Sequence, residues 1–288
     1  MIRFGPAGNS PLFYEEGGKE SSQVPAWLHR LGLNAYEYQC THGVRISRPK
    51  AEAIGAQATE YGIALSLHAP YYINLATEDT GKKRNTIGYL LQSLEAARWM
   101  GAQTVVFHPG SVGKKGRPAA MDRARATFTE LLSAAADRGF SDIILAPETC
   151  GKQNQLGTLA EVLELCYLSP QVRPTIDFAH LHALSGGAFT TKPVFARILD
   201  EIEKALGKTI VQRLHIHFSP INFTAGGEKS HSSLLETEHS PDFSYLAELI
   251  LERGLEPTII CESSERQVSD VLIYRDLLLE LKNKHTSQ

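Results

Sequence analysis

The chain has 288 residues, enough to bury a sizeable core as one α/β barrel or two small domains. Hydrophobic residues at 42% and charged residues at 21% describe an ordinary globular protein and exclude a disordered one. A formal net charge of -3 excludes whole-molecule attraction to nucleic acid, so a nucleic-acid partner would need a local basic surface.

Short β-branched or aromatic runs alternate with longer segments of helical period. Strands are predicted at IRFG (2–5), AYEYQ (35–39), ALSLH (64–68), TVVFH (104–108), DIILAPE (142–148), RPTID (173–177), QRLHIHF (212–218) and PTIICE (257–262). Among the helices between them, residues 86–100 set Ile87, Leu90, Leu94 and Ala97 on one face and stop at Gly101. Residues 119–138 do the same with Ala124, Phe128, Leu131 and Ala135, stopping at Gly139, and residues 268–281 supply a last amphipathic helix. Eight strand–helix units in alternation predict a parallel sheet closed into a single (β/α)₈ TIM barrel over residues 1–288, with 285–288 as a frayed tail. An open doubly wound sheet is the alternative, but no G-x-G-x-x-G follows the first strand. The longest strand-to-helix connection, residues 219–242, is expected to be a functional or mobile loop on the active-site face.

Four widely spaced cysteines with no C-x-x-C pair suggest a reducing, intracellular setting. The opening MIRFGPAGNS lacks the apolar region of a signal peptide, and no apolar run approaches membrane-spanning length. The expectation is a cytoplasmic protein with no membrane association.

Ligand-type side chains gather at the strand ends. The third strand ends in His68, the fourth in His108, the fifth in Glu148, the sixth in Asp177 with His180 beyond it, and the eighth in Glu262. The seventh carries His215 and His217 on one face, so one of them suffices as a ligand and the other can pack. Imidazoles and carboxylates ending otherwise apolar strands would be costly to desolvate without partners, and a shared metal centre supplies partners. Mixed nitrogen and oxygen donors without thiolate suit zinc, manganese or iron, in a set large enough for two or three ions. Ions about 3.5–4 Å apart acidify bound water and clamp the attacking and leaving oxygens of a phosphate ester, which makes phosphodiester hydrolysis the leading chemistry. Sugar isomerisation through a metal-bound diol is next. Cys150 and Cys261, beside the two glutamates, are expected to be packing residues.

These residues carry a resemblance. HAPYYINL (68–75), FHPGS (107–111), PETCGKQNQLG (147–157), IDFAH (176–180), LHIHF (214–218) and CESS (261–264) resemble, in order, the strand exits of the endonuclease IV family of abasic-site endonucleases. The resemblance runs from the third strand to the eighth and implies a barrel with about three zinc ions, manganese or iron being possible in some sites. It implies that Glu148 bridges two ions, with His68 and His108 completing the first site and Asp177, His215 and Glu262 the second. His180 would hold the third ion with a carboxylate and a histidine from the long loop. There the chain departs from the family's Asp-x-His and reads EKSH, so Glu228 and His231 are the candidates. Glu148 and Glu262 would be catalytic, and the substrate would be double-stranded DNA containing abasic sites, cut on the 5′ side by a monomer. Tyr71 would wedge or stack where the abasic nucleotide leaves the helix. Arg45, Lys82, Lys83, Arg84, Lys114, Lys115 and Arg117 lie in rim loops suited to phosphate contact. The rivals are a sugar isomerase or epimerase of the same superfamily, which usually needs fewer ligands, and a DNA- or metal-binding barrel without catalysis.

Overall fold

The computed structural model describes residues 1–236 and 240–286, the side chains of the last two excepted. Every predicted strand is present: β1 (Arg3–Pro6), β2 (Ala35–Gln39), β3 (Ala64–His68), β4 (Thr104–Phe107), β5 (Ile144–Pro147), β6 (Thr175–Asp177), β7 (His215–His217) and β8 (Thr258–Cys261). Parallel pairing joins β2, β3, β4 and β5 in one run and β6, β7, β8 and β1 in another. Parallel bridges Ala7–Glu37 and Glu148–Thr175 close the two runs into a cylinder. The closed barrel is therefore observed, and the open sheet is not.

Alternation decides what each strand offers. Leu67, Val105 and Leu145 face outward and pack with Leu90, Leu94, Phe128 and Leu131 of the surrounding helices. Ile176, Ile216 and Ile259 do the same on the other side of the barrel. Their strand neighbours Ser66, Thr175, His215 and His217 are left to point into the lumen.

Differences from expectation lie in the connections. The helix predicted from residue 86 begins at Thr80, because the Asp79 carboxylate accepts from Lys82 N and caps a polar first turn that carries no apolar period. The helix predicted at 119–138 spans Gly116–Asp137. The last helix continues to Thr286, so residues 285–286 belong to it, while the rest of the expected tail lies outside the described residues. The long connection after β7 contains an antiparallel hairpin, Ile221–Thr224 with Gly227–His231. It docks on the loop after β5 through Glu228 N to Gly151 O at 2.8 Å. Gly227 has φ +96°, and a Cβ there would meet the Gly151 oxygen at 2.1 Å, so only glycine lets the two backbones approach this closely.

Candidate metal centre

Register fixes which lumen residues reach the rim. Asp177 pairs with His217, and Thr175 with His215, so His217 stands level with Asp177 while His215 lies one layer deeper, about 6–7 Å down the barrel axis. This corrects the assignment of His215 to the rim cluster. His215 Nε2 instead lies 2.8 Å from Glu37 Oε2, and His217 Nδ1 approaches Glu148 and Glu262 at 3.2 and 3.4 Å.

Glu148 is the hub. Its carboxylate is fully buried and lies within 3.3 Å of four imidazoles: His68 at 3.0 Å, His108 at 3.2 Å, His217 at 3.2 Å and His180 at 3.3 Å. Asp177 caps the helix Phe178–Leu184 by accepting from His180 N at 2.7 Å, which turns His180 back over the site. The hairpin brings in Glu228, whose Oε2 is 3.4 Å from His180 Nε2, and His231, whose Nε2 is 3.5 Å from Glu262 Oε2. Ligand-type atoms within 4.8 Å of one another form three linked groups here: His68, His108 and Glu148; then Glu148, Asp177, His217 and Glu262; then Asp177, His180 and His231. Glu228 stands beside the last.

The imidazoles are oriented as metal-ligating histidines are, with one ring nitrogen tied to an acceptor. His68 Nδ1 faces the Ala69 carbonyl oxygen at 2.9 Å and His180 Nδ1 the Thr149 carbonyl oxygen at 2.8 Å. A carbonyl can only accept, so Nδ1 carries a proton in either charge state and Nε2 is the nitrogen left for a cation once the ring is neutral. His231 Nδ1 meets Ser219 Oγ at 2.7 Å, freeing its Nε2.

Electrostatics point the same way. Burial would raise the Glu148 carboxyl, yet His217 and His108 outweigh it and hold it well below the carboxylate range. Burial also opposes ionisation of Glu262, which His217 nonetheless brings down to about 2. Burial would lower His68, but Glu148 pushes it up to about 9. Asp177 goes the other way: burial raises it, with Glu148 and Glu262 adding to the effect against His180 and His231. The buried Asp177 Oδ2 makes no hydrogen bond. A pocket that raises His68, His180 and His217 and still leaves a buried carboxylate oxygen unsatisfied fits divalent cations. Burial holds the Cys150 thiol well above its usual range and pushes Cys261 up to about 12, so neither offers a thiolate.

The rim around the centre differs from expectation in its charges. Tyr71 is half exposed and stands against Tyr72 with ring centroids 4.3 Å apart. Arg45 and Lys114 are exposed. Lys115 is paired with Glu78 at 2.9 Å and Lys83 with Glu130 at 2.6 Å. Arg117 is not a phosphate ligand in waiting: it grips both Glu161 oxygens at 2.8 Å and the Gln153 carbonyl at 2.8 Å. A cleft of about 450 Å³ opens beside the centre, lined by Tyr71, Tyr72, Asn74, His108, Lys152 and Glu228. Lys152 was not foreseen; it follows Gly151 in the loop beneath the hairpin. Glu37 was missed too, although alternation along AYEYQ, with Tyr36 and Tyr38 facing the helices, sends its carboxylate into the lumen.

Comparison with known proteins agrees with this architecture. The chain is 32% identical over 279 residues, 96% of each chain, to an uncharacterised protein of Methanocaldococcus jannaschii. A probable endonuclease 4 of Nitratidesulfovibrio vulgaris is 27% identical over 177 residues, which cover 60% of this chain and 62% of that one, less than two thirds of its length. Endonuclease IV of Thermus thermophilus superposes with a TM-score of 0.71 at 22% identity, covering 96% of this chain and 99% of that one. A D-tagatose 3-epimerase-like protein superposes with the same TM-score of 0.71 at 18% identity, covering 99% and 100%. Structural likeness at such identities establishes a shared barrel and nothing finer. No described helix is long and apolar enough to cross a membrane. A family model of xylose isomerase-like TIM barrels matches residues 25–284, and the chain belongs to that family.

Proposed function

We propose that this protein is a metal-dependent phosphodiesterase that cuts double-stranded DNA on the 5′ side of abasic sites. The observation that carries this reading is the linkage of three candidate cation groups through the shared carboxylates Glu148 and Asp177. A sugar isomerase needs to hold one diol and uses fewer ligands, whereas in-line displacement at a phosphate gains from cations on both the attacking and the leaving oxygen. The relatives named probable endonuclease 4, from several bacteria, support the same reading.

Residue roles follow from the geometry. His68, His108 and Glu148 would hold one ion, Glu148, Asp177, His217 and Glu262 a second, and Asp177, His180, His231 and Glu228 a third. Zinc suits this donor set, with manganese or iron as substitutes. The ions would supply an acidified water and neutralise charge building on the phosphate. Tyr71 and Tyr72, exposed at the cleft edge, offer aromatic faces to an unstacked nucleotide, and Lys152 a cation to its phosphate. Arg45 and Lys114 would track the flanking backbone, and Lys115 could join them by leaving Glu78. The chain is read as a cytoplasmic monomer.

The epimerase reading keeps one specific support, the equal superposition on a D-tagatose 3-epimerase-like protein. The deciding experiment incubates zinc-loaded protein with a duplex carrying one abasic site, and in parallel with ketohexoses. Scission leaving a 3′-hydroxyl and a 5′-deoxyribose phosphate is expected. Intact duplex with epimerised sugar would replace the nuclease reading. Duplex bound but uncut, with metal in place, would leave a binding barrel.

A further inference from the structure

One layer below the rim, the barrel axis holds a polar group that the proposed chemistry does not use. Glu37 is fully buried, with three hydrogen-bonding partners and a fourth polar atom, His217 Nε2, around its two oxygens. Ser66 Oγ and His215 Nε2 each lie 2.8 Å from Oε2. His217 Nε2 lies 3.1 Å from Oε1, off the straight line of a full hydrogen bond, and Gln39 Nε2 donates to the same oxygen at 3.4 Å. Barrel interiors are usually filled by layers of branched apolar side chains, so a carboxylate here is a costly exception.

We propose that Glu37 is a positioning residue that fixes the ring orientation and tautomer of His217, keeping the proton on Nε2 and the Nδ1 lone pair toward Glu148 and Glu262. The inference rests on reading His217 as a metal ligand. His68 and His180 each set their second nitrogen against a backbone carbonyl, and His231 sets its own against the Ser219 hydroxyl. His217 turns its second nitrogen to Glu37, a carboxylate outside the three rim groups, which makes its imidazole the more basic ligand. Ser66 and His215 hold that carboxylate in turn, which explains why a second histidine sits two residues back on the same face of β7. Glu37, His215 and His217 could be read instead as a cation site of their own. Both Glu37 oxygens are already occupied by donors, however, and His217 would have to bridge two cations through one ring.

The test is a zinc titration of metal-free protein against a chromophoric chelator, with circular dichroism as the folding check. His217→Ala should remove one tight equivalent. Glu37→Gln should weaken that same equivalent about 10–100-fold and spare the others, because its amide can present N–H to Nε2 and drive the proton onto Nδ1. Glu37→Asp should recover part of the loss, and Glu37→Gln added to His217→Ala should change nothing further. Wild-type binding by Glu37→Gln beside a lost equivalent in His217→Ala would overturn the proposal. So would an equivalent that Glu37→Gln loses and His217→Ala keeps, since Glu37 would then be a ligand itself. If His217→Ala retains every equivalent, the assignment of the metal centre fails instead, and the inference falls with it. Should Glu37→Gln not fold, ¹⁵N-histidine correlation spectra of the zinc-loaded wild type still decide: a proton on Nε2 of His217 supports the proposal, and one on Nδ1 overturns it.

Discussion

Replacing Glu148 by glutamine tests the centre at its hub. The change keeps shape and removes one charge from a fully buried carboxylate that four imidazoles approach within 3.3 Å. In the metal-free protein His68, His180 and His217 are raised in part by the ionised Glu148 beside them, His68 to about 9. Removing one partner of a buried ion pair costs about 3–5 kcal/mol. The same carboxylate serves two of the three cation groups, so metal affinity should fall by roughly two to four powers of ten, at about 1.4 kcal/mol per tenfold. Urea unfolding of the metal-free protein and chelator competition of the loaded protein measure the two effects separately. Circular dichroism should be unchanged, and scission of an abasic duplex should drop below detection. A variant that binds zinc as tightly as wild type and unfolds at the same urea concentration would show that Glu148 is a buried spectator, and the whole assignment of the rim would go with it.

Other outcomes follow from the same geometry. Metal-free protein should lose stability as pH rises from about 6.5 to 9: a histidine raised on folding binds more protons folded than unfolded in that window, and His68 alone is worth up to about 3 kcal/mol. Loaded protein needs neutral imidazoles, so the gap in Tm between loaded and metal-free samples should widen over that range, and a constant gap would contradict histidine ligation. Gly227→Ala forces a Cβ onto the Gly151 oxygen and should cost one metal equivalent by lifting Glu228 and His231, with the other equivalents retained in the same titration. Arg117→Ala should lower the Tm through loss of about 1–3 kcal/mol of charge-assisted hydrogen bonding to Glu161, yet leave the salt dependence of duplex binding unchanged. Lys114→Ala should do the reverse, reducing the slope of log K against log salt by about one with an unaltered Tm.

The barrel was legible because its signals are local. Each strand is a short β-branched run, each helix a 3.6-residue period, and their strict alternation left few ways to close a sheet. Ligand candidates were legible where a strand ends, as at His68, Glu148 and Asp177, because the break in apolarity marks the rim. Depth within the lumen was not legible. His215 and His217 look alike in sequence, and only pairing of His217 with Asp177 ranks them. Glu37 escaped notice because a lone carboxylate inside a strand reads as a solvent-facing residue until the partners across the barrel are known. The rim cations were over-read for a similar reason, since nothing near Arg117 in sequence announces Glu161, 44 positions away.

The ring of donors draws on six successive strands, from His68 on β3 to Glu262 just past β8, and β8 is stitched to the chain's first strand. The first group, His68, His108 and Glu148, lies at the ends of one paired run of strands, but the full set needs both runs. A chain that ended before β8 would lack Glu262, one of the four donors of the second group. On the proposed function, full occupancy would therefore double as an assembly gauge that reports completed closure, whereas a copy halted before β8 could not complete the second group.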